Sequence, residues 1–297
     1  MTSDSPQTDS ETRDWQQVAV IGGGFMGSGI VQSTAVAGLP VVVFDQDADR
    51  RSAIVPGIEK ALGRSGKLGE DEIAAISGRI TVAGSMDDIA GSDIVIEAVP
   101  ERLELKLQVM AEVEPRVGTD AIIASNTSSI PIAELAGSIE HPDRVVGLHF
   151  FAPVPAMKLV EVVSALDSSA EAVTAAHDFC RAIGKQSIET KDRSGFVVNL
   201  LLVPYLMAAV RMYEEEFATP EDIDQGMRLG CGHPMGPLTL CDFIGLDVLY
   251  NVCDSLYEEF KRDEYAPPPV LKRMVASGRL GRKSGRGFYE YEAGTHS

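Results

Sequence analysis

Three groups of residues in this 297-residue chain carry recognisable chemistry. The first is Gly22-Gly23-Gly24-Phe25-Met26-Gly27, which follows the apolar run VAVI (18–21) without a break. Gly22, Gly24 and Gly27 are spaced G-x-G-x-x-G, giving a tight turn, a backbone that can approach a pyrophosphate, and close helix–strand packing. A helix opening here, with Phe25 and Met26 in its first turn, offers free N–H groups and the positive end of its dipole to phosphates. Asp45 follows the next apolar run, VVVF (41–44), 18 residues beyond Gly27. A carboxylate at that place accepts hydrogen bonds from an adenosine ribose and repels a 2′-phosphate, which favours NAD over NADP. Asp47 takes the role if the register is shifted.

The second group is SNTSS (125–129), at the end of the run AIIAS (121–125), where open α/β sheets bind their ligands. The third is a pair. His149 lies near the end of RVVGLHF (144–150), Glu161 lies inside KLVEVV (158–163), and the turn-prone Ala152-Pro153-Val154-Pro155-Ala156 stands between them. Positions 149 and 161 are symmetric about residue 155, so an antiparallel pairing centred there sets the two side chains opposite each other. A carboxylate so placed orients the imidazole and stabilises its protonated form, while the other ring nitrogen faces substrate. The remaining histidines read as structural: His141 precedes a proline, His177 falls in a helical pattern, His233 lies in a Gly/Pro-rich loop, and His296 is terminal.

The elements that must position these groups alternate in type. Short apolar runs at 18–21, 41–44, 93–99, 121–125, 144–150 and 158–163 are separated by helical patterns at about 25–37, 47–64, 70–77, 101–114 and 169–183. The first runs are continuously apolar and rich in Val and Ile, as parallel strands buried on both faces are. This alternation predicts an α/β fold, with a Rossmann-like N-terminal domain built on a mostly parallel sheet. Beyond Lys191-Asp192-Arg193 the pattern becomes helical. Ser194 reads as the cap of a long helix to about Phe217, and Thr219-Pro220-Glu221-Asp222 as a strong helix start. Further helices are predicted at about 246–261 and 270–277. The predicted organisation is a disordered tail at 1–14, an NAD-binding domain at 15–193, and a smaller all-α domain at 194–297.

With 26 Lys and Arg against 44 Asp and Glu, the chain carries a net charge of −18 and a pI near 4.6. That excludes nucleic-acid binding, which needs a basic face, and sets a repulsive long-range field against any anionic substrate. The charge is uneven, however. Lys272, Arg273, Arg279, Arg282, Lys283 and Arg286 form a segment without an acid, which can meet phosphates locally because salt screens beyond about 10 Å. Cys180, Cys231, Cys241 and Cys253 show neither a disulfide framework nor metal-ligand spacing. No segment reads as a membrane span or a targeting peptide, so a cytoplasmic protein without metal or membrane partner is expected.

SNTSSIPI, RVVGLHFFAPVPAMKLVEVV, KDRSGFVVNLLLVPYL, EDIDQGMRLGCGHPMGPLTL and GRKSGRGFYEY together resemble the short-chain-substrate 3-hydroxyacyl-CoA dehydrogenases over essentially the whole chain beyond the N-terminal tail. The resemblance implies NAD-dependent, reversible oxidation of a 3-hydroxyacyl thioester such as 3-hydroxybutyryl-CoA, a place in fatty acid metabolism, a homodimer formed through the helical domain, and catalysis in the interdomain cleft. By motif, His149 matches the catalytic base, Glu161 its carboxylate partner, Ser128 the serine on the substrate oxygen, and Asn199 a substrate-binding asparagine. Asp45, Glu101, Lys106 and Lys283 match nucleotide-contacting positions, and Lys67 falls in the basic loop on the CoA side. The sequence departs from the family at Ala152, where HFFNP is usual, at Ala61, where a CoA-contacting serine is common, and in a shortened loop near Arg64 and Lys67. An acyl-carrier-protein thioester or a free 3-hydroxy acid is therefore the alternative substrate. A non-catalytic dinucleotide-binding protein is the alternative from another class, against which stands the intact set of Ser128, His149, Glu161 and Asn199.

Overall fold

Valine and isoleucine dominate the strands of the N-terminal half, and nearly all of those side chains are out of water. A computed structural model of the chain describes residues 13–64 and 66–291. The tail predicted at 1–14 lies outside the described residues except for Arg13 and Asp14. The chain divides between Asp192 and Arg193 into two compact units.

The first unit runs β1 (Val18–Ile21), α1 (Phe25–Val36), β2 (Val41–Phe44), α2 (Ala48–Arg64), α3 (Glu70–Ser77), β3 (Ile80–Val82), β4 (Ile94–Glu97), α4 (Leu103–Val113), β5 (Ile122–Ser125), α5 (Ile132–Ala136), β6 (Val145–Phe150), β7 (Leu159–Ser164), α6 (Ala170–Ala182) and β8 (Gln186–Lys191). The strands form one sheet in the order β3-β2-β1-β4-β5-β6-β7-β8. Every neighbouring pair is parallel except β6–β7. The order reverses direction at β1, so the C-terminal ends of β1 and β4 flank the crevice where doubly wound sheets bind ligands. Val18, Val20, Ile94, Ile96, Ala124, Val146 and Leu148 form the middle of the core, and Phe179 and Ala176 of α6 join it. Burial of each large aliphatic side chain contributes about 1.5–3 kcal/mol, so the strand ends are held by a rigid base.

The second unit consists of α7 (Val198–Glu214), α8 (Pro220–Cys231), α9 (Pro237–Ile244), α10 (Leu246–Phe260) and α11 (Pro269–Ala276). They close over Leu206, Met207, Val210, Leu238, Leu246, Leu249 and Leu271. Two buried aspartates tie this unit together. Asp224 accepts hydrogen bonds from the N–H groups of Leu238 and Thr239 at 2.7 and 2.9 Å, which caps α9 from a different helix. Asp242 accepts from the N–H groups of Phe288 and Tyr289 and from the Tyr291 hydroxyl, at 2.9, 3.0 and 2.9 Å, which fastens the C-terminal segment.

The structure differs from the sequence reading in several elements. Two strands and two α-helices, β3, β8, α5 and α9, fall outside the segments read from the sequence. β8 is an edge strand with most side chains exposed, so it carries no apolar run. α7 begins at Val198 rather than at a Ser194 cap, because Gly195 (φ +82°) and Phe196 (φ +48°) take left-handed conformations that a helix cannot contain. Among the described residues no helix is long and apolar enough to cross a membrane, and no cluster of His, Cys, Asp or Glu could hold a metal ion.

Candidate active site

The glycine turn between β1 and α1 is built for close backbone approach. Gly22 has φ +108°, and a Cβ there would lie 2.6 Å from the carbonyl oxygen of Ala98. A Cβ on Gly27 would lie 1.8 Å from the carbonyl oxygen of Gly22. Gly24 has open space where its Cβ would be, and no side chain caps α1. The first N–H groups of the helix, at Phe25, Met26 and Gly27, therefore have no intrahelical acceptor. An open glycine face over an uncapped, apolar helix start suits a pyrophosphate.

Asp45 follows β2 directly and is buried. Its Oδ2 accepts the Gly23 N–H at 2.8 Å and its Oδ1 accepts the Asp47 N–H at 2.9 Å. Arg50 approaches Oδ2 at 3.4 Å, so this carboxylate is partly neutralised within the protein. Asp47 instead caps α2, accepting the N–H groups of Asp49 and Arg50, and these bonds hold its carboxyl below the usual range. An apolar recess of about 510 Å³ adjoins the turn, with Phe25, Gln32, Arg50, Ala61, Val154 and Pro155 among its lining residues.

The second cluster sits at the ends of β4, β5 and β6. The antiparallel register pairs His149 with Glu161. His149 Nδ1 lies 2.6 Å from Glu161 Oε2, with the imidazole 8% and the carboxylate 0% exposed. The loop after β5 is tied to the same strand, since Asn126 Oδ1 accepts the Phe150 N–H at 2.9 Å. Glu101 gathers the loop from the other side. Its Oε1 accepts from the Thr127 hydroxyl at 2.6 Å and from the N–H groups of Ser128 and Ser129 at 2.9 and 3.1 Å. Burial alone would raise the Glu101 pKa, but the Lys106 charge and the bonds from Thr127 and Ser128 outweigh it and hold the carboxyl below its ordinary value.

The structure thus brings Ser128, Glu101, His149 and Glu161 onto one set of strand ends, in the unit that carries the glycine turn. Other sequence-derived candidates lie elsewhere. Lys106 is 1% exposed and salt-bridged to Glu97 and Glu101, so its ammonium faces the protein interior. Asn199 is the second residue of α7, in the second unit. Lys283 belongs to the same unit and pairs with Asp247 at 2.5 Å. Nearby, Arg286 pairs with Glu290, and Arg282 stacks on Phe243 and Tyr291. Half of the basic segment is therefore engaged by its own unit. Lys67 lies exposed between α2 and α3. Sequence reasoning missed Glu97, which gave a signal, a carboxylate in an otherwise apolar strand that requires a buried partner. Asn126 lies within the SNTSS group, but its tie to β6 is not readable from the sequence because it depends on a strand 24 residues away.

A doubly wound sheet with a glycine turn, a buried carboxylate after its second strand and a buried His–Glu pair defines a dinucleotide-dependent dehydrogenase. Comparison with known proteins narrows the class. Residues 17–193 match the model of the 3-hydroxyacyl-CoA dehydrogenase NAD binding domain, and 195–291 match that of the 3-hydroxyacyl-CoA dehydrogenase C-terminal domain. A Mycobacterium tuberculosis protein named 3-hydroxybutyryl-CoA dehydrogenase is 47% identical, over 93% of this chain and 98% of its own. The crystal structure of M. tuberculosis FadB2 matches with a TM-score of 0.92 at 46% identity, over 94% of this chain and 100% of its own. That of (S)-3-hydroxybutyryl-CoA dehydrogenase PaaH1 from Ralstonia eutropha matches with a TM-score of 0.89 at 42% identity, over the same shares. The chain belongs to the 3-hydroxyacyl-CoA dehydrogenase family, and its cofactor is NAD.

Proposed function

We propose that the protein oxidises short-chain 3-hydroxyacyl-CoA thioesters, 3-hydroxybutyryl-CoA in particular, to the 3-oxoacyl thioesters, reversibly. The observation that carries this reading is the buried 2.6 Å contact between His149 and Glu161. An anionic Glu161 fixes the proton of the neutral imidazole on Nδ1, which leaves Nε2 as the acceptor for a substrate proton. His149 takes the proton of the 3-hydroxyl and becomes imidazolium, a charge that the buried carboxylate stabilises where no water competes. NAD, held at the glycine turn, would supply the hydride acceptor for C3. Ser128 donates to the substrate oxygen; Asn199, the second residue of α7, is proposed as a substrate-binding residue on the match of its motif alone. In the reverse direction the imidazolium returns its proton to the 3-oxo group.

Gly22, Gly24, Phe25, Met26 and Gly27 would hold the pyrophosphate and Asp45 the adenosine ribose. The similarity to proteins named 3-hydroxybutyryl-CoA dehydrogenase supports a CoA thioester over a free acid. The helical unit exposes Leu201, Phe217 and Leu229 by 72, 73 and 75%, a pattern that supports homodimerisation through this unit. Four free thiols suit a reducing cytoplasm. The test is NADH formation from 3-hydroxybutyryl groups carried on CoA, on acyl-carrier protein, or as the free acid. The CoA thioester should give the highest kcat/KM. Preference for the carrier-bound or free acid would overturn the substrate assignment.

A further inference from the structure

Lys185, in the link between α6 and β8, is only 8% exposed. Its Nζ donates to the carbonyl oxygens of Val154 at 2.5 Å and Met157 at 2.8 Å. Among the described residues no carboxylate pairs with it, and burial holds its pKa below the ordinary lysine value. Taking an ammonium out of water for two carbonyls is a poor route to stability. It is an effective way to fix where those carbonyls lie.

Both carbonyls belong to the turn that joins β6 to β7, and so joins His149 to Glu161. Sheet topology brings Lys185 to this turn. β7 runs antiparallel to β6 and parallel to β8, so β8 begins at the end of the sheet where β6 finishes. The main chain around Lys185 is held as well. Its N–H donates to the Cys180 carbonyl in the last turn of α6, and the Gln186 N–H donates to the Lys158 carbonyl, both at 2.8 Å. On its other side the β6–β7 turn rests on α1. Val154 is 2% exposed, and a Cβ added to Gly29 would lie 2.9 Å from the Val154 Cβ and 3.5 Å from the Pro155 Cδ. Glycine inside a helix is destabilising relative to alanine. Here it lets the turn close on the helix that opens at Gly22-Gly23-Gly24.

We propose that Lys185 is a positioning residue for hydride transfer: by holding the Val154 and Met157 carbonyls it seats the β6–β7 turn on α1, and so sets His149 in relation to the helix that holds NAD. The inference rests on His149 being the base and on NAD lying at the glycine turn, as proposed above. A displacement of about 1 Å in a positioning group can cost a factor of about 10² in rate. Lys185→Met keeps the length of the side chain and removes its donors. Gly29→Ala leaves the lysine in place and pushes the turn away from the helix.

The test has two parts. Hydrogen–deuterium exchange of the protein without ligands follows the amides of Ala156 and Met157, which donate to the Pro153 carbonyl within the turn. Acetoacetyl-CoA reduction is measured with NADH and with NADH deuterated at the transferred position, beside an NADH titration. Lys185→Met should exchange these amides faster. Both variants should lose about 10- to 10²-fold in kcat and keep the NADH Kd within about threefold. Their isotope effect on kcat should exceed that of the wild type, because misalignment makes hydride transfer the slow step. Loss of folded protein alone would leave the isotope effect where it was. Faster exchange with kcat and the isotope effect unchanged would make Lys185 purely structural and overturn the proposal. A fall in NADH affinity that accounts for the whole loss of rate would overturn it as well. If Lys185→Met does not fold by circular dichroism, Gly29→Ala decides by the same kinetic readouts. An inactive wild type would instead refute the functional reading, and this inference with it, which separates the two failures.

Discussion

His149 and Glu161 face each other directly across the antiparallel β6–β7 ladder, with Nδ1 and Oε2 2.6 Å apart and both side chains buried. The relationship is imposed by strand register. A slip of one residue would send either side chain to the opposite face of the sheet. β6–β7 is also the antiparallel pair in an otherwise parallel sheet, so a short turn can bring two residues that are 12 apart into contact.

Glu161→Gln should leave the fold and the NADH Kd intact and lower kcat by about 10²- to 10⁴-fold. The amide keeps the shape but neither fixes the tautomer nor stabilises an imidazolium. Steady-state kinetics beside an NADH titration measure this. A loss of NADH affinity equal to the loss of rate would show that Glu161 serves the cofactor and not the histidine.

Much of this arrangement is legible in the residues themselves. The spacing of Gly22, Gly24 and Gly27 after an apolar strand, and the symmetry of 149 and 161 about residue 155, are local patterns that need no knowledge of the rest of the chain. What escapes is what long-range partners decide. The two helices absent from the sequence reading, α5 and α9, start without caps of their own. Asp192 accepts the N–H groups of Ile132 and Ala133 from 60 and 59 residues away, and Asp224 does the same for Leu238 and Thr239. The burial of Lys106, a residue the sequence matches to a nucleotide-contacting position, escapes for the same reason, because Glu97 on a separate strand decides it.

Gly27→Ala should abolish NADH binding and lower stability by about 3 kcal/mol, since the new methyl would lie 1.8 Å from the Gly22 carbonyl oxygen and must displace the turn. Gly24→Ala meets no atom within 4 Å, so it should fold normally and weaken NADH binding only through the bound phosphates. Thermal melts and NADH titrations separate the two. Equal destabilisation by both would contradict the geometry of the turn.

Asp224→Ala should lower stability by about 2–3 kcal/mol, because it uncaps α9 and leaves the Tyr289 hydroxyl, 3.0 Å away, without this acceptor. Urea unfolding would show the loss as a lower midpoint at constant slope. A change within about 0.5 kcal/mol would mean that the aspartate caps nothing of consequence.

Glu101 has a folded-state pKa below the ordinary carboxylate value. The folded protein therefore binds that proton less readily than the unfolded chain does. The resulting stability is present above the ordinary value of 4.5 and is lost as the pH falls through the depressed folded value. The gap in Tm between the wild type and Glu101→Gln should accordingly be widest near neutrality and narrow on acidification. A gap that widens in acid would reverse the sign and contradict the Lys106 pairing.

Turnover by His149→Gln tests the central claim most directly, with acetoacetyl-CoA and NADH as reactants and NADH binding measured on the same sample. The account predicts that turnover falls at least about 10²-fold while the NADH Kd stays at the wild-type value. Turnover near the wild-type rate would show that His149 is not the base, and the reading of the site would fail with it.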